Sequence, residues 1–238
     1  MKKFLSIMIL VVSLLTYTAK AETISHIPNN PASALIIIHG FGGDCHSLSW
    51  MTNKLKDIMP DTAFYYPRAP DRAPMGGYQW FVIPHLGAQI ADMEMYKQMM
   101  TDALKNVSVI HKLIDDIHNS QNIPYDKIYI SGFSQGGLMA VLTGLTNKHQ
   151  LTKVISFSGV PILFTPDFTP NSIMAVPNIL LIQGDRDNVI PKDSLKMSAE
   201  TLASVGNEPY IRVIKGMNHS INSYAGQYLI DFINDNMD

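Results

Sequence analysis

Short apolar runs alternate along the chain with longer stretches in which apolar residues recur every three or four positions. The first run, Ala34-Leu35-Ile36-Ile37-Ile38, holds no polar residue, as a strand buried on both faces requires. Ala63 to Tyr66, stopped by Pro67, reads as a second strand. Lys127 to Ser131, Lys153 to Phe157, Asn178 to Ile182 and Tyr210 to Ile214 read as four more. Between them, Tyr96, Met99, Met100, Ala103, Val107, Ile110, Ile114 and Ile117 keep helical spacing across Asp92 to Asn119. Gln135 to Thr146, Lys192 to Val205 and Ser220 to Met237 are further helices. Strands that alternate with helices predict an α/β fold, a mostly parallel central sheet with helices on both faces. Pro67 to Gly87 fits neither period and is read as a long irregular loop, a kind of segment that often serves function.

The N-terminus belongs to a different pattern. Lys2 and Lys3 precede the apolar run Phe4 to Leu15, and Ala19-Lys20-Ala21 supplies small residues around a cleavage point. The uncharged stretch from Phe4 to Ala19 is shorter than the roughly 20 residues of a membrane-spanning helix. Residues 1–21 are therefore expected to be a signal peptide, cleaved after Ala21, with the mature protein exported to the periplasm or beyond. Residues 22–238 then form a single domain. With 46% hydrophobic and 16% charged residues, the composition is that of an ordinary globular chain. A net charge of −2 offers no basic face for nucleic acid. Cys45 is the one cysteine, so no internal disulfide can form.

Chemistry concentrates at the turn after the third strand. Gly132-Phe133-Ser134-Gln135-Gly136 matches G-x-S-x-G, and it stands between a strand and a helix, the context in which that pattern presents a nucleophile. A serine nucleophile needs a base, and the base an orienting acid, in the chain order Ser, acid, His. The loop after the strand at 210–214 carries His219, the expected base. The loop after the strand at 178–182 carries both Asp185 and Asp187. Asp187 is favoured because it lies farther along the loop and can reach back over the sheet; the other aspartate is left to cap the turn. The remaining histidines fit less well: His26 lies near the mature start, His46 and His85 in loops, His111 and His118 on the polar side of the long helix, and His149 after a helix. His39 ends the first strand and is expected to be structural. Oxyanion donors are expected from the backbone N–H of Gln135, after the nucleophile, and of Phe41 in the loop His39-Gly40-Phe41-Gly42-Gly43-Asp44. That loop matches no nucleotide-binding fingerprint, and neither H-E-x-x-H nor C-x-x-C occurs, so no cofactor and no metal are expected.

His39-Gly40-Phe41-Gly42-Gly43-Asp44 with Trp50 downstream, Gly132 to Gly137, and Gly184-Asp185-Arg186-Asp187 with Val189 and Pro191 resemble the phospholipase/carboxylesterase family of α/β-hydrolases. So do Pro67-Arg68-Ala69-Pro70, Ser158-Gly159 with Pro161, and Gly216-Met217 before His219-Ser220. The family includes acyl-protein thioesterases and small bacterial carboxylesterases, and the resemblance runs from about Leu35 to the C-terminus. It implies an α/β-hydrolase fold, Ser134 as nucleophile, Asp187 as acid, His219 as base, and Phe41 and Gln135 as oxyanion donors. The leader departs from relatives of this type, which often act in the cytosol. Trp80-Phe81-Val82 also lacks the aspartate of the family's corresponding segment, which implies a different substrate entrance.

The function expected is an exported serine esterase acting on carboxylic esters, with thioesters and lysophospholipids within the same chemistry. Its partner is a small ester or lipid-like acyl substrate, without nucleic acid and without a membrane span once the leader is removed; the oligomeric state is left open. Apolar residues of the irregular loop and of Val160 to Phe168 either line an acyl groove or pack over the sheet. The competing readings are a non-catalytic binding protein on the same fold and a serine peptidase.

Overall fold

The computed structural model describes residues 22–83 and 93–237. The expected signal peptide, His85 and Asp92 lie outside the described residues. The elements run β1 (Thr23–His26), β2 (Ser33–Ile38), α1 (Trp50–Leu55), β3 (Thr62–Pro67), β4 (Asp71–Arg72), β5 (Tyr78–Gln79), α2 (Met93–Gln121) and β6 (Ile128–Phe133). They continue as α3 (Gln135–Thr146), β7 (Lys153–Phe157), β8 (Asn178–Gly184), α4 (Ser194–Ala203), β9 (Tyr210–Ile214) and α5 (Ser223–Ile233).

Seven strands form one sheet in the order β1-β3-β2-β6-β7-β8-β9. All neighbours are parallel except β1, which pairs antiparallel to β3 at the edge. The apolar run of β2 explains its central place: successive side chains point to opposite faces, and both faces are covered. Ala34, Ile36 and Ile38 enter a core shared with Met100, Ile110 and Ile114 of α2 and Leu138 and Leu142 of α3. Leu35 and Ile37 enter the opposite core with Met51 of α1 and Leu229 and Phe232 of α5.

Chain order reverses around β2, whose neighbours are β3 on one side and β6 on the other. Open α/β sheets place their sites at such a switch point, beyond the carboxyl ends of the strands. Helix α3 follows β6 there and is buried along nearly its whole length, as its apolar sequence on all sides demands. Three pieces were absent from the periodicity reading. Strand β1 is a half-exposed edge with a single large apolar residue, Ile24, and α1 is under two turns long. Strands β4 and β5 make a two-residue ribbon inside the segment read as irregular.

Candidate active site

The turn between β6 and α3 is closed by backbone approach. Gly132 and Gly136 have no room for a side chain: a Cβ at Gly132 would lie 1.9 Å from the Gly136 carbonyl oxygen, and one at Gly136 would lie 2.1 Å from that of Ile38. Ser134, held between them, has φ 56° and ψ −115°, a left-handed conformation that L-residues avoid. Its N–H donates to the Phe157 carbonyl at 2.9 Å, and its own carbonyl accepts from Gly137 N–H at 2.9 Å. The strain is held by these contacts and leaves the hydroxyl at the N-terminal end of α3, where the helix dipole favours negative charge.

The loops after β8 and β9 bring the other two side chains to it. His219 Nε2 lies 3.0 Å from Ser134 Oγ, and His219 Nδ1 lies 2.9 Å from Asp187 Oδ2. A carboxylate only accepts, so Nδ1 carries the proton and Nε2 is free to take one from the serine hydroxyl. Asp187 Oδ1 accepts from Val189 and Ile190 N–H at 2.9 and 3.0 Å. Its side chain is 0% exposed, and that of His219 is 16% exposed. Burial alone would raise the Asp187 carboxyl, yet the Ile190 N–H, the His219 imidazole, the Val189 N–H and the Ser158 hydroxyl together bring it below the ordinary carboxylate value. The Phe133 ring packs on the His219 ring at 4.7 Å.

Asp185 has the other job. Its Oδ1 accepts from Gly216 N–H at 2.6 Å, which ties the aspartate loop to the histidine loop. Asp185 N–H to Ile214 O at 3.1 Å and Arg186 N–H to Met217 O at 3.0 Å complete that joint.

The loop after β2 lies against Ser134: a Cβ at Gly40 would be 3.3 Å from Ser134 Cβ. Among the described residues, neither Phe41 N–H nor Gln135 N–H enters a backbone hydrogen bond between loops or turns. Both are therefore open as donors to a developing oxyanion. Three polar groups that pattern reading did not assign to the site hold this wall together. Ala69 N–H donates to His39 Nε2 at 3.0 Å and His39 Nδ1–H donates to Gly40 O at 2.7 Å, so the imidazole is neutral. Burial depresses its pKa, outweighing the Gly40 carbonyl and Asp44. The Gln135 side chain accepts from Trp80 N–H at 3.0 Å and donates to Phe81 O at 2.8 Å. Trp80 Nε1–H donates to the His39 carbonyl at 3.0 Å. The available clue was an amide side chain directly after Ser134 in a mostly apolar helix.

Trp80, Phe81 and Phe168 are 0% exposed, so these residues pack over the sheet and do not line an acyl groove. A cavity of about 20 Å³ between α3, β7 and α4, lined by Leu138, Val141, Val160 and Ile162, has room for about one water and not for an acyl chain. Exposed apolar side chains adjoin the site in sequence at Val82 and Val189.

His111, His118 and His149 have packing roles. His111 was expected on a polar face, but it is half-buried against α3 and donates from Nε2 to Thr143 O at 3.2 Å. His118 and His149 stack on opposite faces of the Tyr125 ring. Among the described residues, one group could hold a metal ion: Glu22, Cys45 and His46 offer ligand atoms within 4.8 Å of one another. Glu22 is already paired with Arg68, and burial together with Glu22 and Asp44 keeps the Cys45 thiol protonated. Among the described residues, no helix is long and apolar enough to cross a membrane.

Comparison with known proteins gives the family and the fold of the chain. The model of the phospholipase/carboxylesterase family matches residues 19–237. Acyl-protein thioesterase 1 of Gibberella zeae is 27% identical over 199 residues, covering 79% of this chain and 83% of that protein. Acyl-protein thioesterase 1 of Eremothecium gossypii is 27% identical over 217 residues, covering 86% and 88%. The crystal structure of esterase PE8 superposes with a TM-score of 0.79 at 24% identity, covering 92% of this chain and 99% of that one. The chain therefore belongs to the phospholipase/carboxylesterase family of α/β-hydrolases and is a serine hydrolase of that family.

Proposed function

We propose that this protein is an exported esterase that cleaves carboxylic esters through an acyl-Ser134 intermediate, with His219 as base and Asp187 as its orienting acid. The observation that carries this reading is the unbroken chain from Ser134 Oγ through His219 to Asp187, at 3.0 and 2.9 Å.

In the first half-reaction, Ser134 Oγ attacks the ester carbonyl carbon as its proton passes to His219 Nε2. The carbonyl oxygen takes up the negative charge, facing Phe41 N–H, Gln135 N–H and the N-terminus of α3. Nε2–H then protonates the leaving oxygen, the C–O bond breaks and the alcohol departs. In the second half, water gives a proton to Nε2 and attacks the acyl carbon. The intermediate collapses, the acid leaves and the proton returns to Ser134 Oγ. Asp187 stays ionised throughout and holds the imidazole in orientation.

Thioesters react by the same steps, with a thiolate as leaving group. The name acyl-protein thioesterase carried by the fungal relatives supports testing them first. Export is supported by the basic, apolar and small-residue pattern of residues 1–21. Two measurements test the proposal. Wild-type protein should turn over p-nitrophenyl esters and acyl thioesters of graded chain length, and no turnover on any of them contradicts an esterase. N-terminal sequencing of the protein expressed in a Gram-negative host should begin at Glu22; retention of Met1 contradicts cleavage after Ala21.

A further inference from the structure

Residues 77–81 run as a strap between the two segments that carry the proposed oxyanion donors. On one side the strap meets the loop after β2 at both flanks of Phe41. Before Phe41, Trp80 Nε1–H donates to the His39 carbonyl at 3.0 Å. After it, Gly42 N–H donates to the Tyr78 carbonyl and Tyr78 N–H to the Gly43 carbonyl, both at 2.9 Å. Gly77 permits this approach: it has φ 70°, and a Cβ there would lie 2.0 Å from the Gly42 carbonyl oxygen. On the other side the strap meets Gln135, whose carboxamide accepts from Trp80 N–H at 3.0 Å and donates to Phe81 O at 2.8 Å. The strap is itself seated: Asn106 Nδ2 of α2 donates to the Trp80 carbonyl at 2.7 Å, and the Arg68 and Arg72 guanidinium groups stack on the Tyr78 ring at 4.5 and 4.3 Å. A carboxamide suits position 135 because one side chain must meet an N–H and a C=O of successive residues, which takes an acceptor and a donor together. Burying a polar side chain is unfavourable unless its groups are bonded, and both groups of this one are bonded to the strap.

We propose that the Gln135 side chain and Trp80 are positioning residues for the oxyanion hole: through residues 77–81 they fix the separation of the Phe41 and Gln135 N–H groups. The proposal rests on the reading of those two N–H groups as donors to the oxyanion formed when Ser134 attacks. Gln135 then serves that oxyanion twice. Its N–H is one donor, and its carboxamide is the tie that sets where the other donor stands. A donor held a fraction of an ångström out of place still lets an ester bind. It loses its hold on charge that exists only in the transition state.

The test compares wild type with Trp80→Phe and Gln135→Met. Trp80→Phe keeps a buried ring and removes only the bond to His39, so it serves if Gln135→Met, which strands two main-chain groups, does not fold. Each protein is titrated with a matched pair of alkyl ketones. With the trifluoromethyl ketone, Ser134 Oγ adds to the carbonyl carbon, its proton passes to His219 Nε2, and the carbonyl oxygen becomes an anion where the ester's would form. The methyl ketone binds uncharged and stays unreacted. Both variants are expected to bind the trifluoromethyl ketone about tenfold or more weakly, with kcat/KM on a p-nitrophenyl ester falling by the same factor. Methyl ketone binding should hold within about twofold, since no charge develops on it. Equal weakening of both ketones marks a general defect of the site and overturns the proposal. Trifluoromethyl ketone affinity unchanged in the folded variants overturns it as well. Failure of the underlying reading looks different: wild type itself then binds the two ketones alike and turns over no ester.

Discussion

Two aspartates two positions apart do unrelated work. Asp187 is fully buried at its side chain and faces His219, while Asp185 reaches Gly216 N–H and fastens one loop to the next. Replacing Asp187 by Asn should lower kcat by about 10³–10⁴-fold with little change in melting temperature, since an amide can hold the wrong imidazole tautomer. Asp185→Ala should instead destabilise the fold by about 1 kcal/mol and keep kcat within about tenfold of wild type, because it removes one capping bond. Steady-state kinetics and thermal melts on both variants check the pair; the reverse pattern would exchange their roles. Of the residues that meet at the site, Ser134 and His219 were legible because strand, turn and chain order frame them. Position along the loop and the family resemblance favoured Asp187 over Asp185, and the tight turn after Gly184 is what points the Asp187 carboxylate inward. Gln135 was read for its backbone N–H and not for the side chain that anchors Trp80 and Phe81. Nothing in a linear pattern reports a contact across 55 positions.

At the level of elements, the site depends on how closely α3 approaches β2 and β6. A methyl at Gly136 would collide with the Ile38 carbonyl, a backbone atom fixed at the carboxyl end of the central strand β2. Gly136→Ala should therefore be poorly folded or lose several kcal/mol of stability. Gly226, on α5, faces open space, and Gly226→Ala should raise stability by about 0.5–1 kcal/mol through helix propensity alone. Chemical denaturation of both variants compares them; equal effects would mean that the close approach at Gly136 is not what holds the turn. The apolar runs revealed the six parallel strands because a strand buried on both faces leaves an uninterrupted signature. Strand β1 escaped because a half-exposed edge strand needs few apolar residues. The segment from Pro67 onward kept its core role hidden for another reason. Trp80 and Phe81 are buried by tertiary hydrogen bonds to His39 and Gln135, not by any period of their own.

Across the whole molecule, buried titratable groups set how the fold responds to acid. The neutral His39 ring accepts from Ala69 and has a depressed pKa because of burial, and His111 is likewise depressed by its burial against α3. Their stabilising effect is complete above the unfolded histidine value of about 6.5 and is lost as pH falls below it toward their folded values. Asp187 is depressed by its donors against the effect of burial, so its contribution is present above the unfolded carboxylate value of about 4 and is lost below that. Both effects have the same sign. The melting temperature should fall in two stages on acidification from pH 7, one beginning near 6.5 and one near 4. A melting temperature that stays level or rises from pH 7 to 4 would contradict the neutral, hydrogen-bonded state of these histidines. The fold places the loops after β2, β6, β8 and β9 at one end of the sheet, and on the proposed function this joint position makes the serine of a glycine-rich turn a nucleophile with a base. The most direct measurement of that claim is labelling by a fluorophosphonate probe, read by intact mass and peptide mapping. The account predicts one adduct per chain, on Ser134, absent from Ser134→Ala and strongly slowed in His219→Ala. Equal labelling of Ser134→Ala, or no labelling of the folded wild type, would contradict it.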